Sequence, residues 1–144
     1  MAHTLVLEGL KIMKIKKIEH ISINVSDIDK ATKFYSEILG FPYLETVSDG
    51  DKDLVYFQIP GGSRLELFNF HGKAIKAPAV ESEYELLGYV HLAFEVDDVD
   101  EWVKHFNKEN INITFGPIDL PNLGMRVCLF TDPDGNVLEI CNKI

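Results

Sequence analysis

Tyr89-Val90-His91-Leu92-Ala93-Phe94-Glu95-Val96-Asp97-Asp98 alternates its side chains, and a close copy, Ile18-Glu19-His20-Ile21-Ser22-Ile23-Asn24-Val25-Ser26-Asp27, stands 71 positions earlier. His20 matches His91, Val25 matches Val96, Asp27 matches Asp98 and Asp29 matches Asp100. Successive side chains of a strand point to opposite faces. One face of the first copy then carries Ile21, Ile23 and Val25, and the other carries Ile18, His20, Ser22 and Asn24. The second copy sets Val90, Leu92, Phe94 and Val96 against Tyr89, His91, Ala93 and Glu95. The oily face predicts packing under a helix, and the polar face predicts a cavity wall.

The segments after each copy repeat too. Ser26 or Asp27 caps a helix with the stripe Ile28, Ala31, Phe34, Tyr35, Ile38 and Leu39, and Gly40 with Pro42 ends it. Strands are predicted over Tyr43–Val47, Leu54–Ile59 and Arg64–Phe70. In the second half Asp97 or Asp98 caps the stripe Val99, Trp102, Val103 and Phe106, with Asn110 as the C-terminal cap. Further strands are predicted over Ile111–Phe115 (ended by Gly116-Pro117), Met125–Thr131 and Val137–Cys141, the last two joined by the turn Asp132-Pro133-Asp134-Gly135. The pattern predicts an α+β fold: two tandem βαβββ units forming curved mixed sheets around a cleft. Residues 1–13 are read as an N-terminal tail, an alternative start or a remnant, and 14–144 as a single domain of two repeats, about 14–72 and 88–144, joined by a surface linker.

Composition narrows the function. The 144 residues are 46% hydrophobic and 26% charged, the balance of an ordinary globular chain. A net charge of −9 argues against a nucleic-acid or anionic-membrane partner. No apolar run approaches the roughly 20 residues that cross a bilayer, and Met1–Glu8 lacks the features of a secretory signal, so a cytoplasmic location is expected. Cys128 and Cys141 have no metal-finger spacing and are expected as free, partly buried thiols.

Repetition singles out four ionisable residues. His20 and His91 open the two halves, and Glu66 and Glu139 lie in their last strands, within Leu65-Glu66-Leu67 and Leu138-Glu139-Ile140. A carboxylate between buried aliphatic neighbours is costly unless it is paired or bound to metal. Accidents would not fall at equivalent places twice, so His20, Glu66, His91 and Glu139 are expected to ligate a divalent first-row ion: Ni, Co, Zn, Mn or Fe. His3, His71 and His105 lack this symmetry, and His105 is read as a surface residue.

The repeats, the strand starts Glu19-His20-Ile21 and Val90-His91-Leu92, and Phe130-Thr131-Asp132-Pro133-Asp134-Gly135-Asn136-Val137-Leu138-Glu139-Ile140 together resemble the vicinal-oxygen-chelate superfamily over about residues 14–144. That superfamily holds glyoxalase I, methylmalonyl-CoA epimerase, extradiol dioxygenases and the fosfomycin and bleomycin resistance proteins. The quartet is most similar to that of glyoxalase I. The dioxygenases and fosfomycin resistance enzymes lack an acid at the Glu66 place, and the epimerase usually has glutamine there. The resemblance implies a cytoplasmic, metal-dependent lyase or isomerase of glyoxalase I type (lactoylglutathione lyase-like). Its small-molecule substrate has adjacent oxygens, and proton transfer runs through a metal-stabilised enediolate with Glu66 or Glu139 as catalytic base. It implies a homodimer, whose sites form within one chain or across two. Asn24 stands where glyoxalase I carries an arginine associated with a glutathione carboxylate, so the implied co-substrate is glutathione or another thiol. The alternatives are a CoA-thioester epimerase and a non-catalytic protein that binds a drug or metabolite.

Overall fold

The computed structural model describes residues 13–76 and 83–144, and the alternating runs form eight strands there, in two four-stranded sheets. The first half contains β1 (His20–Asn24), α1 (Ile28–Lys33), a π-helical turn (Phe34–Ile38), β2 (Tyr43–Asp49), β3 (Lys52–Gln58) and β4 (Arg64–Asn69). A short 3-10 turn, Glu83–Glu85, precedes the second half. There β5 (Leu92–Glu95), α2 (Val99–Lys108), β6 (Ile113–Leu120), β7 (Met125–Thr131) and β8 (Val137–Lys143) repeat the plan. The strand orders, β1-β4-β3-β2 and β5-β8-β7-β6, are equivalent. In each, the end strand that starts at or just after the histidine runs parallel to the glutamate-bearing one. The α+β expectation is met. Of the expected tail, residues 1–12 lie outside the described residues, as do 77–82 of the linker.

Both helices start as their sequences require. The Asp27 carboxylate accepts from the backbone N–H of Asp29 and Lys30, and Asp98 accepts from Asp100 and Glu101. Both end at a left-handed residue, Gly40 (φ 73°) and Asn110 (φ 57°). Thirteen positions separate Asp27 from Gly40 but only twelve separate Asp98 from Asn110. The first helix absorbs the extra residue as its π-helical turn, which the apolar stripe alone does not reveal.

The oily faces of the two halves share one core. Phe106 packs on Phe130 with ring centroids 4.4 Å apart, Phe34 lies 6.4 Å from Phe130, and Phe41 lies 5.2 Å from Phe94. His105, expected on the surface, is half-buried, with Nε2 3.0 Å from the carbonyl oxygen of Ile38. Its ring sits edge-on to Trp102, because the interface between the halves reaches that side of α2. The strand expected to end at Gly116-Pro117 instead runs on to Leu120 through a bulged register. Gly116 makes this possible: at φ 81°, a Cβ there would lie 2.6 Å from the carbonyl oxygen of Val127.

The interface is repeated but not symmetric. Buried Asp132 accepts the Tyr35 hydroxyl at 2.8 Å, the Asp134 and Asn136 backbone N–H groups at 2.9 Å, and the Asn136 side-chain amide at 2.8 Å. Asp134 accepts the Ser26 backbone N–H at 2.9 Å and also its hydroxyl. Burial first, and Asp132 second, push the Tyr35 phenol far above its usual pKa, so it remains a donor. The equivalent corner of the first half reads Ile59-Pro60-Gly61-Gly62 and has no carboxylate. There Ile59, Pro60, Phe41, Phe94 and Trp102 line an apolar cavity of about 310 Å³.

The Tyr35–Asp132 bond ties the halves together and is fully buried at the tyrosine. Tyr35→Phe is expected to lower stability by about 1.5–3 kcal/mol, as for a buried hydrogen bond to a charged group. A denaturant midpoint equal to that of the parent protein would show that the bond contributes nothing.

Candidate metal centre

Strand register decides which side chains meet. In the first half Ser22 on β1 and Tyr56 on β3 flank Glu66 on β4. Glu66 is 5% exposed, and its neighbours Leu65 and Leu67 are fully buried on the opposite face, as expected for a carboxylate at mid-strand. Hydrogen bonds offset the cost of that burial. The Ser22 hydroxyl donates to Oε1 at 2.6 Å and the Tyr56 hydroxyl donates to Oε2. The bond to Glu66 first, and burial second, push the Tyr56 phenol up to about 12, so it stays protonated near neutrality.

His20 presents Nε2 to the same carboxylate, 3.7 Å from Oε1. Its other nitrogen, Nδ1, contacts Oε2 of Glu19. Glu19 in turn is gripped by Arg64, whose Nε reaches Oε1 at 3.0 Å and whose terminal nitrogen reaches Oε2 at 3.1 Å. Arg64 first, and His20 second, hold the Glu19 carboxyl below its ordinary pKa. The guanidinium carbon of Arg64 also lies 4.5 Å over the Tyr56 ring.

The second half brings His91 and Glu139 together with far less support. His91 Nε2 is 3.2 Å from Glu139 Oε2. Glu139 has Ala93 and Leu129 beside it, where Glu66 has Ser22 and Tyr56. Neither can donate a side-chain hydrogen bond. His91 Nδ1 is buried and has no hydrogen-bond partner. A buried ring nitrogen left unpaired costs on the order of 1–3 kcal/mol.

The two pairs do not meet within one chain: among the described residues no three His, Cys, Asp or Glu side chains converge as they would around one ion. The reason is the shared core. Each half turns its oily face toward the other, so both polar faces look outward and the expected cleft is not closed by a single chain. The residues nevertheless fit a divalent ion. Two imidazoles and two carboxylates are donors that first-row ions accept, and each imidazole turns its Nε2 toward the carboxylate of its own pair.

The remaining candidates lie elsewhere. His71 is exposed, 3.4 Å from Asp53, and His3 is outside the described residues. Cys128 is fully buried, and burial pushes its thiol up to about 11. Cys141 is also raised, by burial and then by Glu139 and Glu95, so neither is an activated nucleophile. Asn24 shares the polar face of β1 and stands opposite Phe68. Sequence reasoning missed the supporting roles of Glu19, Ser22, Tyr56 and Arg64. Their residue types are unremarkable, and only the register brings them to His20 and Glu66.

Comparisons with known proteins agree with this architecture. The family model described as Glyoxalase/Bleomycin resistance protein/Dioxygenase superfamily matches residues 17–140. The Escherichia coli (strain K12) protein YaeR is 34% identical over 131 residues, covering 88% of this chain and 95% of that one. The metallothiol transferase FosB of Staphylococcus saprophyticus is 32% identical over 129 residues, covering 88% of this chain and 76% of the relative. The solved structure of the trypanothione-dependent glyoxalase I of Leishmania major superposes with a TM-score of 0.70 at 27% identity, over 89% of this chain and 87% of that one. The chain belongs to the glyoxalase/bleomycin resistance/dioxygenase superfamily, the vicinal-oxygen-chelate proteins.

Proposed function

We propose that the protein is a metal-dependent lyase or isomerase of glyoxalase I type, working as a homodimer. The observation that carries this reading is the pair of outward-facing His–Glu sets, His20 with Glu66 and His91 with Glu139, at equivalent strand positions of the two repeats. Each is half of a four-ligand site. Strands β1 and β5, beside the two histidines, both lie at open sheet edges, where unpaired backbone groups favour pairing with another chain. Apolar side chains stay exposed on the outer strands too: Tyr43, Leu44 and Val47 on β2, and Phe115 and Ile118 on β6. A two-fold partner would bring β1 of one copy beside β5 of the other and complete two equivalent sites.

A divalent ion held there would supply Lewis-acid stabilisation of two adjacent substrate oxygens. The two glutamates have different parts. Glu66 accepts from Ser22 and Tyr56, which fix it as a ligand. Glu139 has no such donors beside it, only the His91 imidazole, and is the less restrained of the two. Glu139 therefore takes the carbon-bound proton and returns it to the neighbouring carbon. Asn24 offers a neutral amide where a glutathione carboxylate would meet an arginine, so the co-substrate is a thiol that does not depend on that contact.

A second reading, thiol transfer to a small electrophile, is favoured by the likeness to the metallothiol transferase FosB. In that case Glu66 is no ligand and belongs to the Ser22–Tyr56 network alone.

Turnover separates the two. Protein loaded with Ni²⁺, Co²⁺, Zn²⁺ or Mn²⁺ is expected to isomerise the adduct of methylglyoxal with glutathione or L-cysteine. Glu139→Gln should slow turnover about 10²-fold or more, and Glu66→Gln should lower bound metal. Consumption of thiol by fosfomycin instead, with metal content unchanged in Glu66→Gln, would favour the transferase. The absence of both activities with every ion would refute the lyase reading.

Mixing variants tests the shared site. His20→Ala and His91→Ala are each expected to lose bound metal. After subunit exchange half of the dimers carry one intact site, restoring about a quarter of the parent's metal content. Failure to restore metal in the mixture would place all ligands of a site in one chain.

A further inference from the structure

The two halves of the proposed centre are unequally built, and the difference converges on one residue. Arg64 touches the supports of both first-half ligands. It grips Glu19, which contacts Nδ1 of His20, with Nε–Oε1 at 3.0 Å and terminal nitrogen–Oε2 at 3.1 Å. Its guanidinium also lies 4.5 Å over Tyr56, which donates to Glu66. Glu45 lies 3.8 Å away and adds to the charge that holds the guanidinium in place.

Repeat equivalence shows what the second half lacks. Where the first half has Arg64, Glu19, Ser22 and Tyr56, the second has Val137, Val90, Ala93 and Leu129. None of the four replacements can donate or accept a side-chain hydrogen bond. The result is visible at His91, whose Nδ1 has no partner, whereas Nδ1 of His20 has one.

We propose that Arg64 is a positioning residue that makes His20 and Glu66 the preformed half of the metal centre, leaving His91 and Glu139 as the half that yields. This rests on the metal reading and deepens it. The physical reason lies in the tautomer and the angle of the ring. A carboxylate on Nδ1 fixes the proton there and turns the Nε2 lone pair toward the ion. Glu19 alone, at 55% side-chain exposure, is free to swing into water, and the two-pronged grip of Arg64 removes that freedom. The same planar cation over Tyr56 limits where the phenol can sit, and so where Glu66 points. A divalent ion would therefore meet fixed donors on the first repeat, and in the proposed dimer the second repeat of the partner chain would supply the less restrained carboxylate.

The test compares Arg64→Val, the residue of the second repeat, with Arg64→Lys, Glu19→Gln and Arg126→Val. Arg126 is a control of similar exposure that grips Asp100 and Asp119 in the other half. Cobalt affinity is measured by competition with a chromophoric chelator. The His20 ring is followed in metal-free protein by its ¹⁵N resonances. Arg64→Val and Glu19→Gln are expected to weaken cobalt binding about tenfold or more and to shift the His20 nitrogens away from the Nδ1–H tautomer. Arg64→Lys should restore only part of the affinity, because an ammonium cannot fork. Arg126→Val should lower thermal stability with affinity unchanged.

Cobalt binding of parental strength in Arg64→Val would overturn the proposal and leave the metal reading intact. A parent protein that binds no cobalt, with a His20 tautomer that still responds to Arg64→Val, would overturn the metal reading and retain the hold on His20. No response in either measurement would overturn both.

Discussion

The structure depends on the packing of two oily faces against each other. Each four-stranded sheet carries one helix and cannot bury that side alone, so the halves bury Phe34, Tyr35, Phe106 and Phe130 together. The choice of face sets the rest of the molecule. With the apolar sides joined, the polar sides must look outward, and the side chains suited to bind an ion end up on opposite flanks of the chain. In the proposed assembly only a second molecule brings the two His–Glu pairs together.

The two flanks solve the same electrostatic problem differently. Glu66 is nearly inaccessible and is kept there by two hydroxyl donors, with an arginine and a second carboxylate behind them. Glu139 has apolar neighbours and one imidazole. The first arrangement favours a fixed anion, and the second favours one that can change partners. The proposed proton transfer between carbons would use both kinds of group.

The overall plan is legible in the sequence because repetition doubles every signal. Alternation around His20 and His91 and the Asp27 and Asp98 caps each appear twice, and the left-handed ends at Gly40 and Asn110 echo one another. All of these are local features that short stretches encode. The illegible features depend on contacts between distant strands. The pairing of Tyr56 with Glu66 needs the β3–β4 register, and the burial of His105 needs the second half docked on the first helix. Gly116-Pro117 looks like a terminator, yet the chain continues as strand because the bulge there relies on close approach to Val127. As sequence, the Asp-Pro-Asp-Gly turn reads as a hairpin connection and as part of the motif that carries the family resemblance. Its second role, bonding the first half through Tyr35 and Ser26, is invisible until the halves meet.

The π-helical turn at Phe34–Ile38 absorbs a difference in length between the two halves. An added residue in an ordinary helix would rotate everything beyond it by about 100° and carry Leu39 and Phe41 away from the core. A wider turn swallows the residue and lets the helix rejoin its original path. The spacing between matched positions accordingly falls from 71 at His20 and His91 to 70 at Gly40 and Asn110, and rises to 73 at Glu66 and Glu139 where the second half is longer, while the architecture stays aligned. The two halves therefore differ in length at more than one place. In the first helix the backbone has a local way to hide the difference.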